Sequence, residues 1–214
     1  MILKDTDRIQ IQERLKSLKN TVRILLFTQK VMGQCQFCSE TESLLKAVCG
    51  LSDNLNLEVK SFVNDAEMVE KFNIDKIPAT VILGQTDHNI RFFGIPSGYE
   101  FATFLETCLL VSGNKSGLTE QNIQDINQIS KDVQIQVFVT PTCPYCPRAA
   151  FTAIQFAIEN PKISASIVEI SEFPHIAQKY SIMGVPKIVI NEEHAFEGAL
   201  PENLFLSKIN EALQ

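Results

Sequence analysis

The order of hydrophobic and polar residues divides the first half of the chain into alternating strands and helices. Short apolar runs predict buried strands, and one stretch that alternates between apolar and polar residues predicts a strand with a polar face. Apolar residues that recur every three or four positions predict the helices between them. The predicted strands are residues 22–27, 55–63, 79–83 and 90–93. The predicted helices are residues 7–18, a segment that follows Cys38, and residues 66–72 and 99–110.

The second half of the chain repeats this order of elements. It begins after residues 112–117, a stretch of small and polar residues that is typical of a flexible linker. The predicted strands are residues 133–139, 164–170, 187–190 and 195–196. The predicted helices are residues 118–129, 143–158, 175–180 and 202–213. We therefore expect two domains, residues 1–115 and residues 116–214.

Two short motifs recur at the same spacing in both halves. Cys-x-x-Cys sequences begin at Cys35 and Cys143. A proline that follows a hydrophobic residue stands 43 residues after each of these cysteines, at Pro78 and Pro186. Corresponding residues are thus 108 positions apart. A repeat of this length indicates a duplicated domain and not a turn of a solenoid.

Composition and charge narrow the possible classes of function. The 214 residues are 45% hydrophobic, which is enough for a buried core, and the net charge is −6. This charge argues against nucleic acid and anionic membrane surfaces as partners, because both attract Lys and Arg. The N-terminus has no apolar signal segment, and no run approaches the roughly 18 apolar residues of a membrane helix. We therefore expect a cytoplasmic protein without a membrane partner. In cytoplasmic proteins, paired cysteines are usually catalytic or metal-binding.

Each Cys-x-x-Cys lies where a predicted strand passes into the first turn of a predicted helix. Free backbone N–H groups and the positive end of the helix dipole favour a thiolate there, and only the thiolate attacks a disulfide. The second cysteine lies one helical turn further on, where it can attack the mixed disulfide and release the partner. This pattern indicates thiol–disulfide exchange on protein substrates. The candidate catalytic residues are Cys35, Cys38, Cys143 and Cys146.

Two other classes of function stay open alongside enzymatic exchange. A structural zinc or iron–sulfur site needs four ligands close together. The two cysteine pairs are 108 residues apart, and His88, His175 and His194 have no spacing that would complete a site locally, so we expect no metal. The other alternative is a redox-silent holdase that grips unfolded chains beside each proline. No Gly-x-Gly-x-x-Gly sequence is present, so no bound dinucleotide is expected.

The combination of these motifs resembles a known family. A Cys-x-x-Cys at a strand-to-helix turn, with a hydrophobic residue and proline before the next strand, is similar to the thioredoxin and glutaredoxin superfamily. The tandem arrangement, with Cys-Gln-Phe-Cys first and Thr-Cys-Pro-Tyr-Cys-Pro second, resembles the protein disulfide oxidoreductases of archaea and some bacteria. Residues 92–101 are also similar to that family's pattern. The resemblance implies an α/β fold of two tandem thioredoxin-like domains, each a mixed four-stranded sheet flanked by helices.

The resemblance also implies roles for the cysteines. Cys35 and Cys143 would be the attacking thiols, and Cys38 and Cys146 would be the buried resolving thiols. The redox-active disulfides would need no resident cofactor. A thioredoxin-reductase-like flavoprotein with NADPH would supply the electrons.

The two prolines have an implied role in substrate binding. By the resemblance, Pro78 and Pro186 would form cis peptide bonds and pack across the sulfurs. The backbone of Ile77 and of Val185 would then hydrogen-bond an extended substrate segment, as an added β-strand does.

Some positions depart from the family pattern or lie outside the motifs. Val137 and Gln29 stand where thioredoxins carry a buried acid, so we expect proton transfer from the resolving thiols to use another group or water. Cys49 and Cys108 lie on apolar helix faces, and we expect them to be buried as small hydrophobic residues. We expect the second centre, formed by Cys143 and Cys146, to be more active than the first centre, formed by Cys35 and Cys38, because Pro144 stiffens its turn.

Overall fold

The computed structural model describes residues 3–29 and 35–214. Residues 1–2 and 30–34, which belong to the first predicted domain, lie outside the described residues. In the first half, strands β1 to β4 are Val22–Thr28, Leu55–Ser61, Ala79–Leu83 and Asp87–Phe93. Helices α1 to α4 are Asp5–Leu15, Cys38–Cys49, Ala66–Lys71 and Tyr99–Gly113.

The second half has the same order of elements. Strands β5 to β8 are Val133–Val139, Ile163–Glu169, Lys187–Ile190 and His194–Glu197. Helices α5 to α8 are Glu120–Ile126, Cys146–Glu159, Pro174–Lys179 and Glu202–Ala212. A single 3₁₀ turn, Ile170–Glu172, follows β6. Within residues 3–29 and 35–214, no helix is long and apolar enough to cross a lipid bilayer.

The strands form one mixed eight-stranded sheet in the order β2-β1-β3-β4-β6-β5-β7-β8. In each half the central strand pairs with one parallel and one antiparallel neighbour, as β1 does with β2 and β3. The two groups of four strands meet because β4 pairs with β6 in parallel, from Ile90 beside Ala165 to Phe93 beside Val168. The α/β fold is confirmed, and the sheet runs without a break from one half into the other.

Apolar residues on the two faces of this sheet form two separate clusters. Alternate residues of β1 point in opposite directions, so that Ile24 belongs to the larger cluster and Leu25 to the smaller one. The larger cluster packs helices of both halves together, with Phe104 of α4 and Phe156 of α6 fully buried in it. The side chains that join the two halves are therefore mostly apolar, and burial of each large one contributes about 1.5–3 kcal/mol.

The polar stretch 112–117 is not the flexible linker that its composition predicts. Helix α4 continues to Gly113, and the hydroxyls of Ser112 and Ser116 are both buried. Ser112 Oγ accepts hydrogen bonds from the N–H groups of Lys19 (2.7 Å) and Asn20 (2.8 Å). These small polar residues bond to backbone groups that packing would otherwise leave without a partner, which explains why a polar sequence is buried here.

Two boundaries near the functional motifs also differ from the sequence prediction. Helix α6 begins at Cys146 and not at Cys143, because the Cys143 N–H bonds back to the Thr140 carbonyl (3.2 Å) in a turn. Strand β4 begins at Asp87, three residues before the predicted start at residue 90, and Asp87 forms a salt bridge with the buried Arg91 (2.8 Å).

Candidate active sites

Both Cys-x-x-Cys pairs stand at the start of a helix and are joined as disulfides. Cys35 bonds to Cys38 and Cys143 bonds to Cys146, with the Cα atoms of each pair 5.5 Å apart. Cys38 is the first residue of α2, and Cys146 is the first residue of α6. The later cysteine of each pair is the more buried one: Cys38 is 2% exposed and Cys146 is fully buried, while Cys143 is 7% exposed and Cys35 is partly exposed. A reagent can therefore reach the earlier sulfur of each pair more easily than the later one.

The second centre brings the cysteines and the proline motif into contact. The Val185–Pro186 peptide bond is cis and precedes β7. Cys143 Sγ lies 3.6 Å from the Val185 carbonyl oxygen. The Cys146 N–H donates to Cys143 Sγ at 3.1 Å. An N–H donor directed at this sulfur stabilises negative charge on it, which favours the thiolate in the reduced state.

The first centre has the corresponding arrangement around a groove of about 490 Å³. The Ile77–Pro78 peptide bond is also cis and precedes β3. Cys35 and Ile77 both line the groove, together with Phe37. The structure thus brings each cysteine pair next to the proline motif that stands 43 residues further along the chain.

Equivalent glycines border the two centres, but their surroundings differ. The Gly94 N–H donates to the Pro78 carbonyl (2.8 Å), and the Gly198 N–H donates to the Pro186 carbonyl (2.9 Å). No described atom lies within 4 Å of the place where a Cβ would stand at Gly198, whereas at Gly94 that place is 2.8 Å from Glu172 Oε1. The glycine side is therefore open at the second centre and covered by the other half of the molecule at the first.

Glu100 is a residue near the second centre that the sequence analysis missed. It lies in the first turn of α4 and is only 3% exposed. The preceding residue, Tyr99, donates its N–H to the carbonyl of Pro141 (2.9 Å), two residues before Cys143. Burial raises the pKa of Glu100 to about 7, against a smaller opposing effect of the Thr103 hydroxyl. Neither carboxylate oxygen has a hydrogen-bond partner among the described residues.

The position of Glu100 leaves a signal in the sequence. Glu100, Phe104 and Cys108 follow one another at intervals of four, so they share one helical face. A carboxylate on a face that is otherwise apolar indicates a buried acid. In the thioredoxin pattern a buried acid is expected six residues before the cysteine, whereas Glu100 lies in the other half of the chain from Cys143.

The remaining two cysteines are free thiols that pack in the core. Cys108 is fully buried, and Cys49 is partly buried against the same apolar cluster. Burial raises the pKa of Cys49 to about 12 and also raises the pKa of Cys108. These thiols are therefore very poor nucleophiles near neutral pH. Among the described residues, no group of three or more His, Cys, Asp or Glu side chains could hold a metal ion.

Comparison with known families agrees with this geometry. A thioredoxin domain model matches residues 133–211. Among the subunits of alkyl hydroperoxide reductases, one from Pseudomonas aeruginosa is 27% identical over 171 residues, which are 80% of this chain and 31% of that protein. An NADH dehydrogenase of Bacillus subtilis is 25% identical over 178 residues, which are 79% of this chain and 35% of that protein. The chain thus spans about a third of the length of these curated relatives.

Solved structures match over nearly the whole chain. A protein disulfide oxidoreductase from Aeropyrum pernix is 31% identical with a TM-score of 0.92, and the match covers 99% of this chain and 94% of that one. An alkyl hydroperoxide reductase structure from Enterococcus faecalis is 25% identical with a TM-score of 0.90, and the match covers 98% of this chain and 100% of that one.

The thioredoxin-like fold and its two cysteine disulfides define the class of protein: the chain has the fold and the paired cysteines of the thiol–disulfide oxidoreductases. The match to the Aeropyrum pernix structure extends over almost all of both chains at 31% identity. The chain therefore belongs to the protein disulfide oxidoreductases, and the family predicted from the tandem motifs is confirmed.

Proposed function

We propose that the two cysteine pairs act as two separate centres of thiol–disulfide exchange. In each centre the earlier cysteine, Cys35 or Cys143, attacks a substrate disulfide as its thiolate and forms a mixed disulfide. The substrate's other sulfur leaves as a thiolate. The later cysteine, Cys38 or Cys146, then attacks the mixed disulfide, which releases the second substrate sulfur and leaves the enzyme disulfide. The difference in burial within each pair carries this assignment, because the attacking sulfur has to be reached from outside.

The resolving step at the second centre needs a proton acceptor. Cys146 is fully buried, so its thiol does not lose a proton directly to bulk water. We infer that Glu100 takes this proton, because its side chain is buried and has no competing hydrogen-bond partner among the described residues. The preceding residue, Tyr99, bonds to Pro141 in the loop that leads to Cys143, which keeps this turn of α4 next to the second centre. A carboxyl group with a pKa of about 7 exchanges protons readily at neutral pH.

The proposed substrates are proteins with thiols or disulfides, bound as extended segments beside the cis prolines. The backbone of Val185 at the second centre and of Ile77 at the first would pair with the substrate backbone. At the second centre, the side chains of Tyr145 (72% exposed) and Met183 (94% exposed) offer apolar contacts to such a segment. These contacts suit an unfolded or partly folded chain that displays apolar residues.

The proposed source of electrons is a flavoprotein that uses NADPH, similar to thioredoxin reductase. The names of the curated relatives support this proposal: one is an NADH dehydrogenase, and another is a subunit of an alkyl hydroperoxide reductase. This chain matches only about a third of each of them, so about two thirds of each relative lies outside the match. A reducing compartment such as the cytoplasm would suit that role.

We also propose that residues 1–115 and 116–214 form two tandem thioredoxin-like domains. In support, each part holds four strands, one cysteine pair and one cis proline in the same order.

Trapping of mixed disulfides tests the assignment of the cysteines. Reduced Cys146→Ser protein, incubated with a disulfide-containing protein such as insulin, should accumulate a covalent complex through Cys143, because the resolving thiol is missing. Cys143→Ser protein should accumulate no complex through Cys146. Cys38→Ser and Cys35→Ser form the matched pair for the first centre. A complex that forms through the later cysteine of either pair would contradict the assignment.

A further inference from the structure

Glu172 belongs to the second half of the chain but borders the first redox centre. It ends the 3₁₀ turn that follows β6. The groove beside Cys35 is lined by residues of both halves, among them Cys35, Phe37, Ile77, Glu172, Phe173 and His175. Because the sheet is continuous between β4 and β6, this turn lies over the glycine side of the first centre.

Two contacts hold the Glu172 carboxylate in this position. Its Oε1 accepts a hydrogen bond from the Ile95 N–H at 2.6 Å. The neighbouring Gly94 leaves the space that the carboxylate occupies, since a Cβ at Gly94 would lie only 2.8 Å from Glu172 Oε1. Gly94 in turn donates its N–H to the carbonyl of Pro78, the cis proline of the first centre. The carboxylate of Glu172 is thus held by Ile95, the residue that directly follows the Gly94 N–H bonded to Pro78.

The charges around Glu172 are mostly negative. Burial raises its pKa to about 7, opposed by the hydrogen bond from Ile95, and the nearby carboxylates of Glu169 and Glu40 raise it further. Glu169 accepts hydrogen bonds from the N–H groups of Ser171 and Glu172, both at 3.1 Å. Glu40 stands in the first turn of α2, two residues after Cys38.

The other charged or titratable groups at the groove are Asp75, Lys76 and His175. Lys76 Nζ pairs with Asp75 at 2.5 Å and lies 3.9 Å from the centre of the Phe93 ring. Its positive charge is therefore balanced by Asp75, and it does not offset the Glu172 carboxylate. Among the described residues, no salt bridge to Glu172 is formed.

We propose that Glu172 is a positioning residue for charge at the first centre: its carboxylate makes the thiolate of Cys35 harder to form, and protonation of that carboxyl removes the effect. This inference rests on the proposed thiol–disulfide exchange at the first centre. Above neutral pH the ionised carboxylate repels a thiolate across the groove, so Cys35 holds its proton more tightly. Below neutral pH the carboxyl is uncharged and the repulsion is lost. The second half thereby controls the nucleophile of the first half.

Titration of the Cys35 thiol tests this proposal. The reduced full-length protein with Cys143→Ser and Cys146→Ser has only the first centre left to titrate near neutral pH, because Cys49 and Cys108 are buried with raised pKa values. The thiolate is followed by its ultraviolet absorbance below the pH range in which tyrosine ionises. In this background Glu172→Gln should lower the pKa of Cys35 by about one unit, since it removes a like charge.

The shape of the titration curve is a second readout from the same experiment. Two coupled groups titrate over a broadened range, and Glu172→Gln should narrow the curve to that of a single thiol. Gln keeps an oxygen that can accept the Ile95 N–H, so the variant should fold. Glu193→Gln, at an exposed position of the same half, is the matched control and should leave both the pKa and the curve unchanged. An unchanged Cys35 curve in Glu172→Gln would overturn the proposal.

A measurement without substitution in the groove gives an independent check. Carbon NMR of the Glu172 carboxyl in the wild-type protein should show a higher pKa in the dithiol form than in the disulfide form, because only the dithiol form carries a thiolate. Equal pKa values in the two forms would contradict the proposal. Failure of Cys35 to react with any protein disulfide would instead contradict the proposed function of the first centre, and the two failures are thus distinguishable.

Discussion

At the scale of single residues, Glu100 and Glu172 are the two carboxyl groups whose pKa values are raised most among the described residues. Burial is the first cause of the rise in pKa to about 7 for both. Each lies beside the centre of the opposite half: Glu100 follows the residue that contacts Pro141, and Glu172 borders the groove of Cys35. Buried acids with pKa values near neutrality are costly to the fold and are typical of functional sites.

The cost of Glu100 to stability should depend on pH. Its pKa is raised in the folded state from an ordinary value of 4.5 to about 7, so the folded state loses stability as pH rises through this window. Glu100→Gln removes the ionisation. Relative to wild type, its free energy of unfolding should rise by roughly 2–3 kcal/mol between pH 4.5 and pH 8. Urea unfolding at the two pH values measures this change.

The control for this prediction is Glu193→Gln, whose side chain is exposed. Its stability relative to wild type should be the same at both pH values. If the relative stability of Glu100→Gln also stays constant with pH, Glu100 does not titrate in this window in the folded protein.

The two proposed attacking cysteines, Cys35 and Cys143, should contribute unequally to activity. The second centre has an open glycine side at Gly198 and a turn stiffened by Pro144, whereas the glycine side of the first centre is covered by Glu172. In insulin reduction with dithiothreitol, Cys143→Ser should therefore lose more activity than Cys35→Ser. An equal or greater loss of activity in Cys35→Ser would contradict this ranking.

At the scale of elements, the segment between β4 and α4 connects the two centres through backbone contacts. At one end, the Gly94 N–H contacts Pro78, and at the other end the Tyr99 N–H contacts Pro141. The chain passes between them through Gly98, which has a φ of +60°. A Cβ at Gly98 would lie 2.1 Å from the Pro141 carbonyl oxygen, so only glycine permits this approach to the loop before Cys143.

Gly98→Ala should disturb the second centre more than the first. The added methyl group forces the Cys143 loop away from α4, and the left-handed φ adds backbone strain, so we expect a loss of about 3 kcal/mol in the free energy of unfolding. The matched control is Gly113→Ala at the other end of α4, where a Cβ meets only the Lys19 Cδ atom at 3.8 Å. Denaturant unfolding and the reactivity of each centre measure the effect.

Those results would contradict the account of Gly98 if the two alanine variants were equally stable, or if Gly98→Ala slowed both centres to the same degree.

Sequence patterns predicted individual elements well and contacts between the halves poorly. The strands Ala79–Leu83, Val133–Val139 and Lys187–Ile190 have the predicted bounds, because each is a short stretch rich in Val, Ile or Leu between residues such as Pro, Gly, Asp and Asn that end strands. The cysteine pairs lie beside the proline motifs, as the family resemblance implied. Glu100 and Glu172 could not be assigned to a centre, because each depends on packing between residues that are far apart in sequence.

At the scale of the whole molecule, the pairing of β4 with β6 makes one sheet out of two groups of strands. β4 and β6 lie in the middle of the sheet order and therefore have a neighbour on each side. Helices α4 and α6 of the two halves contribute Phe104 and Phe156 to the same apolar cluster. An edge strand left without its partner would expose a row of backbone hydrogen-bonding groups and apolar side chains.

The two halves should therefore unfold together. The amide hydrogens of β4 and β6 should exchange only when the whole molecule unfolds, so that their free energies of exchange equal the global free energy of unfolding. Low concentrations of denaturant should lower the free energy of exchange by the same amount in both strands. The inner strands β1 and β5, one from each half, are the internal references for this measurement. Exchange of β5 and β6 at a lower free energy than β1 would show that the halves unfold separately.

The central claim is that the molecule exchanges disulfides through Cys35 and Cys143. The most direct test is the turnover of insulin disulfides, with dithiothreitol as the reductant, by the protein in which both cysteines are replaced by serine. The account predicts that turnover falls to the uncatalysed rate, while the Cys49→Ser/Cys108→Ser protein keeps the wild-type rate, because both of those thiols are buried and poor nucleophiles. Turnover that persists in the Cys35→Ser/Cys143→Ser protein would contradict it.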